Sequence, residues 1–173
     1  MSRNKTPRTQ PPGQPRHYGA RVLDDPRHDP YQATLKLRDG TRCTTCGATY
    51  AHGRWTWGSG TAASPVEHPI ICPACRRIAE RLPAGTLTLD GPYTESHGDE
   101  LVRLAQSRAE LERKEHPMHR IMSVDRHADR IEIATTDIHL PRLIGEAIER
   151  AHDGKLTTTF SPDEYAVRVH WRR

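Results

Sequence analysis

The chain has 173 residues and a mass of 19.6 kDa, room for one ordinary domain or two very small ones. Leu, Ile, Val and Phe number 28, about 16% of the residues, below the roughly 20% at which a purely apolar core becomes doubtful. A large enzyme core is therefore excluded. No apolar run approaches the ~18 residues that a membrane-spanning helix needs.

The net charge of +4 is unevenly placed: residues 1–42 carry nine Lys or Arg against four Asp or Glu, and the remainder carries seventeen against eighteen. No acidic residue precedes Arg21, and six of the fourteen prolines lie in this front quarter. Residues 1–28 are predicted to be a disordered basic tail, because such a segment buries too little apolar surface to offset its ordering entropy. A tail of this kind gains affinity for polyanions by releasing counterions, an effect that weakens with salt. It also suits a solubilising role with no partner. The first twenty residues hold no hydrophobic stretch of the secretory type, which predicts a cytoplasmic protein.

Tyr31 to Leu37 is weakly strand-like or helical and ends at the turn signal Asp39-Gly40. Residues 41–90 hold all four cysteines and two of the three tryptophans, with a hairpin expected over Tyr50–Trp57. Cys75 opens a short amphipathic helix that stops before Pro83. A connecting helix is predicted over 98–115, with Leu101, Leu104, Ala105 and Leu111 near helical spacing and Pro117 as its stop.

From His119 onward the order is ββαββ. Arg120–Asp125 and Arg130–Thr135 read as strands around a polar turn, Ile131 and Ile133 alternating with polar neighbours. Asp137 stands where a helix N-cap belongs, and Leu140, Leu143, Ile144, Ala147, Ile148 and Ala151 form a core-facing stripe. Gly154 suits the helix stop. Leu156–Phe160 and Tyr165–Trp171 form a second hairpin, in whose last strand Tyr165, Val167, Val169 and Trp171 share one face and Arg168, His170 and Arg172 the other.

The cysteines have the pattern Cys43-x2-Cys46-x25-Cys72-x2-Cys75. Two residues between thiols is the separation at which a tight turn aims both at one metal, and two such turns complete a tetrahedral shell of four thiolates. Zinc is the predicted ion. A disulfide framework needs an oxidising compartment. A redox pair needs a βαβ context and no second CxxC. A zinc deaminase needs an upstream His-x-Glu, which the chain lacks. The expected shell is thus closed and structural, held on a ribbon-like or treble-clef-like module. No catalytic residues are expected, and the protein is read as a non-enzyme.

On the module, Arg54, Trp55, Trp57, Arg76, Arg77 and Arg81 mix aromatic and cationic groups, as contacts to single-stranded RNA require. Arg168, His170 and Arg172 offer a second small basic surface. The same pattern suits tryptophans packed over the metal with arginines in solvent, and the last-strand charges suit the wet face of a sheet. Weaker candidates are the pair His116 and His119, separated by a proline, His52 and His68 between the cysteine pairs, and Asp137-Ile138-His139, where capping explains the aspartate.

Several runs carry a resemblance: Gly53-Arg54-Trp55-Thr56-Trp57-Gly58, Cys72-Pro73-Ala74-Cys75-Arg76-Arg77-Ile78, Pro83-Ala84-Gly85, Leu89-Asp90-Gly91-Pro92, Glu115-His116-Pro117, His119-Arg120-Ile121-Met122, Thr135 to Leu140, Ile144-Gly145-Glu146-Ala147 and the ending Arg168-Val169-His170-Trp171-Arg172. From about Asp29 onward the chain resembles small bacterial zinc-ribbon proteins of loci activated at low oxygen. The cysteine segment is more distantly similar to the N-terminal zinc domain of the adaptor that exports the large ribosomal subunit from the nucleus, which implies ribosome contact. The chain departs from that adaptor in having only two CxxC pairs and none of its later domains.

The resulting expectation is an α+β protein with a tail over 1–28, a four-cysteine zinc module over 29–97, a connecting helix over 98–116 and a ββαββ module over 117–173. Its function is read as binding RNA, namely the ribosome, under stress or in low-oxygen dormancy. The alternative is a protein-interaction adaptor that works without RNA.

Overall fold

The computed structural model describes residues 29–31, 37–58 and 70–173. The basic tail, most of the Tyr31–Leu37 segment and His68 lie outside the described residues. The protein is a mixed α+β molecule whose described residues form two hydrophobic clusters, one around the cysteines and a larger one beneath a five-stranded sheet.

The first cluster is built on a hairpin and a helix. Strands β1 (Thr49–Ala51) and β2 (Arg54–Thr56) pair antiparallel, with Thr49 opposite Thr56. Their turn is His52-Gly53, both at positive φ, the geometry of a tight hairpin turn. Helix α1 (Pro73–Glu80) starts with proline in its first turn, where an amide has no internal partner to lose. It ends at Arg81 in the left-handed region.

The larger domain contains strand β3 (Gly85–Asp90), helix α2 (Pro92–Glu115), strands β4 (Ile121–Arg126) and β5 (Arg130–Thr135), helix α3 (Leu140–His152), and strands β6 (Lys155–Phe160) and β7 (Val167–Arg172). The sheet order is β4-β5-β3-β7-β6. β3 pairs antiparallel with β5 and parallel with β7, so it is the central strand.

Both helices pack on the face formed by Leu87, Leu89, Ile131, Ile133, Val167, Val169 and Trp171, against Leu101, Val102, Ala105, Ile144 and Ile148. The crossovers β3–α2–β4 and β5–α3–β6 start from antiparallel strands and run in opposite lateral directions. A right-handed crossover then brings both helices to the same face. The opposite face carries Thr86, Thr88, Arg168, His170 and Arg172.

Three expectations need correction. Strand β3 falls inside the stretch assigned to the zinc module, so the 29–97 boundary is displaced: Gly85–Asp90 belongs to the sheet, and the ββαββ block closes around it. Helix α2 begins at Pro92 rather than at residue 98, bending at His97, whose φ and ψ are not helical. Leu111 is exposed, while Val102 and Ala109 complete the buried stripe. A proline-led first turn and a kink hide a helix start from periodicity. The α3 stripe, the His119-onward strand order and the Tyr50–Trp57 hairpin match the structure, except that Ala151 is exposed and Tyr165 precedes the last strand.

Candidate metal centre

The cysteine site is assembled from two short turns. In the first, Cys43 N–H donates to the Ala48 carbonyl (2.8 Å) and Gly47 N–H donates to the Cys43 carbonyl (2.9 Å). Gly47 sits at φ +78°, which allows the chain to curl back beneath both thiols. The second turn is the start of α1, with Cys72 as N-cap and Cys75 in the first turn. A bridge between Cys43 and Ile70 brings the two turns together.

The four Sγ atoms lie within 4.8 Å of one another, and Cys43, Cys72 and Cys75 are buried. Cys46 Sγ and Cys72 Sγ are 3.7 Å apart. A tetrahedral shell with metal–sulfur bonds of about 2.3 Å has an edge of about 3.8 Å, whereas a disulfide needs about 2.05 Å. The four cysteines are free thiols at metal-ligand spacing and could hold one metal ion.

The electrostatics point the same way. Burial pushes the Cys43 thiol up, but backbone N–H groups of Cys72, Cys46 and Thr45 outweigh it and bring the pKa down to about 6. Cys72 is raised, first by burial and then by the neighbouring sulfurs. Cys75 is raised by burial, against the pull of Arg120. Four thiols this close cannot all ionise without a compensating cation.

Arg120 supplies part of that compensation. Its Nη1 donates to Cys75 Sγ (3.3 Å) and its Nη2 to Cys46 Sγ (3.1 Å), while Nε donates to the Pro117 carbonyl (2.7 Å). Burial works against the charge, yet the two sulfurs hold its pKa above the ordinary arginine value. Arg120 stands at the entry to β4, so the sheet domain reaches into the cysteine cluster. Its role is invisible in the sequence: a single arginine beside a strand carries no spacing signal, and its partners lie 45 and 74 positions away.

The residues expected to touch RNA fall in two places. Trp55 is half-buried against the cysteine cluster and meets Tyr50 edge-on, 5.7 Å between centroids. Trp57 is exposed. Its Nε1 donates to the Arg113 carbonyl, and the guanidinium groups of Arg113 and Arg120 lie 5.7 and 5.6 Å from its ring. Arg54, Arg76 and Arg81 are exposed, with Arg76 held by Glu80 at 3.0 Å.

Arg77 is a correction. It is only 3% exposed, pairs with Asp29 at 2.5 Å and donates to the Leu82 carbonyl, so its guanidinium is committed inside the fold. The sequence places it in a basic cluster because helix spacing alone does not separate Arg77 from its exposed neighbours. On the open sheet face Arg168 is exposed, whereas His170 shares a 2.7 Å hydrogen bond with Asp90 and Arg172 lies 3.8 Å from the same carboxylate.

No helix of the described residues is long and apolar enough to cross a membrane. In comparisons with known proteins, the chain matches no described family, no curated protein and no solved structure.

Proposed function

We propose that this is a non-enzymatic zinc protein that binds RNA, with the ribosome as its target under stress or low-oxygen dormancy. The observation that carries the metal half is the cluster of Cys43, Cys46, Cys72 and Cys75, three of them buried, with the Arg120 guanidinium bonded to two of the sulfurs. Zinc suits four thiolates in a tetrahedral, redox-inactive site, and a shell with no open position serves structure. Structural zinc stabilises model peptides by an apparent ~10–16 kcal/mol, which offsets the thin core around the hairpin.

The RNA half is supported by the surface this shell rigidifies. Arg113 presents a cation beside the exposed Trp57 ring, Arg54 and Arg81 are further exposed cations, and the front quarter of the sequence supplies an excess of positive charge. Backbone phosphates meet such cations without sequence preference, and an unstacked base meets the ring. The ribosomal target and the low-oxygen setting rest on sequence resemblance alone. The test is sedimentation of a cell lysate through a sucrose gradient. Migration with ribosomal particles at low salt, lost at high salt or after nuclease, is the expected result. Remaining at the top of every gradient overturns the ribosome reading.

One observation favours a second reading, a protein adaptor. Ile71, Ile78 and Leu82 around α1 are all exposed, an apolar surface suited to a protein partner. Association that persists in high salt and after nuclease would support it.

A further inference from the structure

Two features far apart in the sequence, the His116/His119 pair and the Asp137-Ile138-His139 segment, meet at the seam between the cysteine module and the sheet domain. They line a cavity of about 370 Å³, whose other walls include Tyr50, Arg54, Trp55 and Tyr165. The His119 ring lies 4.8 Å from that of His116 and 5.9 Å from that of His139.

Asp137 is 7% exposed, and its two oxygens differ. Oδ1 accepts the backbone N–H groups of His139 (2.7 Å) and Leu140 (3.0 Å), from two residues ahead of His139, which is the N-cap of α3 in place of the expected Asp137. Oδ2 is buried and has no hydrogen-bond partner among the described residues. His119 does not satisfy it: its Nε2 is 3.6 Å from Asp137 Oδ1, and its Nδ1 is 3.6 Å from Glu112, both beyond hydrogen-bonding distance. A buried acceptor without a donor is costly, and the residue that carries this one stands in the wall of the cavity, beside the space a ligand's N–H would occupy.

We propose that this cavity takes one unstacked nucleobase carrying an exocyclic amino group, whose N–H donates to Asp137 Oδ2. The flat rings of Tyr50, Trp55 and Tyr165 suit a planar heterocycle, and Arg54 at the same cavity suits the attached phosphate. Amino bases place the donor on the edge that proteins read once a base is splayed from its strand. The proposal rests on the RNA reading above and gives that reading its base-selective contact. The same base chemistry is offered by a free nucleotide, and the experiment separates the two sources.

The decisive comparison uses the full, zinc-loaded chain, titrated with CMP and UMP and then with oligocytidylate and oligouridylate, by calorimetry. The two pyrimidines differ at ring position 4, an amino group against a carbonyl, and at N3, an acceptor in cytosine and an N–H in uracil, so uracil turns a carbonyl toward the carboxylate where cytosine offers its amino group. Cytosine is expected to bind at least about tenfold more tightly than uracil, the discrimination one good base contact supplies. Asp137→Asn keeps both hydrogen bonds ahead of α3, because the two backbone N–H groups hold the amide oxygen at the Oδ1 position. It replaces Oδ2 with an N–H donor, so the preference for cytosine is expected to vanish or reverse while the melting temperature stays close to wild type. If Asp137→Asn melts well below wild type, Tyr165→Leu replaces it, removing a flat wall and weakening cytidine binding.

Equal affinity for the two bases, or a cytosine preference untouched by a folded variant, overturns the proposal even if oligonucleotides bind, and leaves the RNA reading standing. Binding of CMP but of neither oligonucleotide supports the cavity as a nucleotide site and overturns its RNA role. Binding of no nucleotide and no oligonucleotide overturns both.

Discussion

Arg120 and Cys46, 74 positions apart in the chain, meet in a 3.1 Å N–H···S hydrogen bond that ties the sheet domain to the cysteine module. The same guanidinium reaches Cys75 and the Pro117 carbonyl, so one side chain fixes the orientation of two sulfurs and the path of the chain entering β4. Replacing Arg120 with Met removes the charge and both sulfur hydrogen bonds at similar length. Removing the partners that orient metal ligands typically weakens metal affinity about 10–100-fold. Competition with a chromophoric chelator checks this, and Arg120→Lys should recover only part of the affinity because an ammonium lacks the planar fork.

Arg77 and the exposed arginines should separate cleanly on mutation. Arg77→Ala leaves Asp29 unpaired in a partly buried setting, and breaking a buried pair from one side costs about 3–5 kcal/mol. The single change Arg54→Glu, at an exposed strand position, should stay within about 0.5 kcal/mol of wild-type stability, as surface changes do. It should instead weaken RNA binding and flatten its salt dependence by about one unit for each phosphate that is no longer neutralised. Urea unfolding and salt-dependent binding isotherms measure the two effects separately.

Gly85 has no room for a methyl group. A Cβ there would lie 2.5 Å from the Pro141 ring, 2.6 Å from the Asp137 carbonyl oxygen and 2.6 Å from Thr135 Oγ1. Two of these belong to a backbone carbonyl and a proline, which cannot turn aside. Gly85→Ala should therefore destabilise by at least the roughly 1–3 kcal/mol typical of overpacking. At Gly145 the nearest atom is Leu156 Cδ1, the end of a flexible side chain at 2.7 Å, so Gly145→Ala should cost less. Urea midpoints of the two variants give the comparison.

His119 predicts a pH effect. Burial lowers its pKa, Asp137 and Glu112 raise it, and His116 and His139 lower it further, for a net downward shift. The fold thus favours the neutral ring, and the unfolded chain binds the proton more readily. This contribution to stability is complete above the ordinary histidine value of about 6.5 and is lost as pH falls through the lower folded value. His119→Gln should lose less stability between pH 7 and pH 5 than wild type. Urea unfolding of both proteins at the two pH values tests the difference, because acid weakening of the metal site is common to both.

The metal ligands were legible in the sequence because Cys-x2-Cys spacing encodes a turn directly, and α3 because Leu140, Ile144 and Ile148 repeat at helical period. Strand β3 was not. Its alternation of Thr86 and Thr88 with Leu87 and Leu89 is short, and its partners are the distant strands β5 and β7. The buried ion pair of Arg77 and Asp29, the Arg120–sulfur bonds and the seam cavity were hidden for the same reason. The sulfur bonds and the cavity join residues whose proximity exists only after the two modules dock, and the ion pair joins positions 48 apart within the cysteine module.

The metal content of the full chain, followed by its melting after chelation, bears most directly on the proposed zinc centre. One zinc per chain is expected. Cobalt substitution should give the intense thiolate-to-metal absorption of a four-thiolate site, and metal removal or Cys46→Ser should unfold the hairpin-and-helix module while the five-stranded domain keeps its own core. A chain that carries no stoichiometric metal, and melts identically before and after chelation, would contradict a structural zinc site.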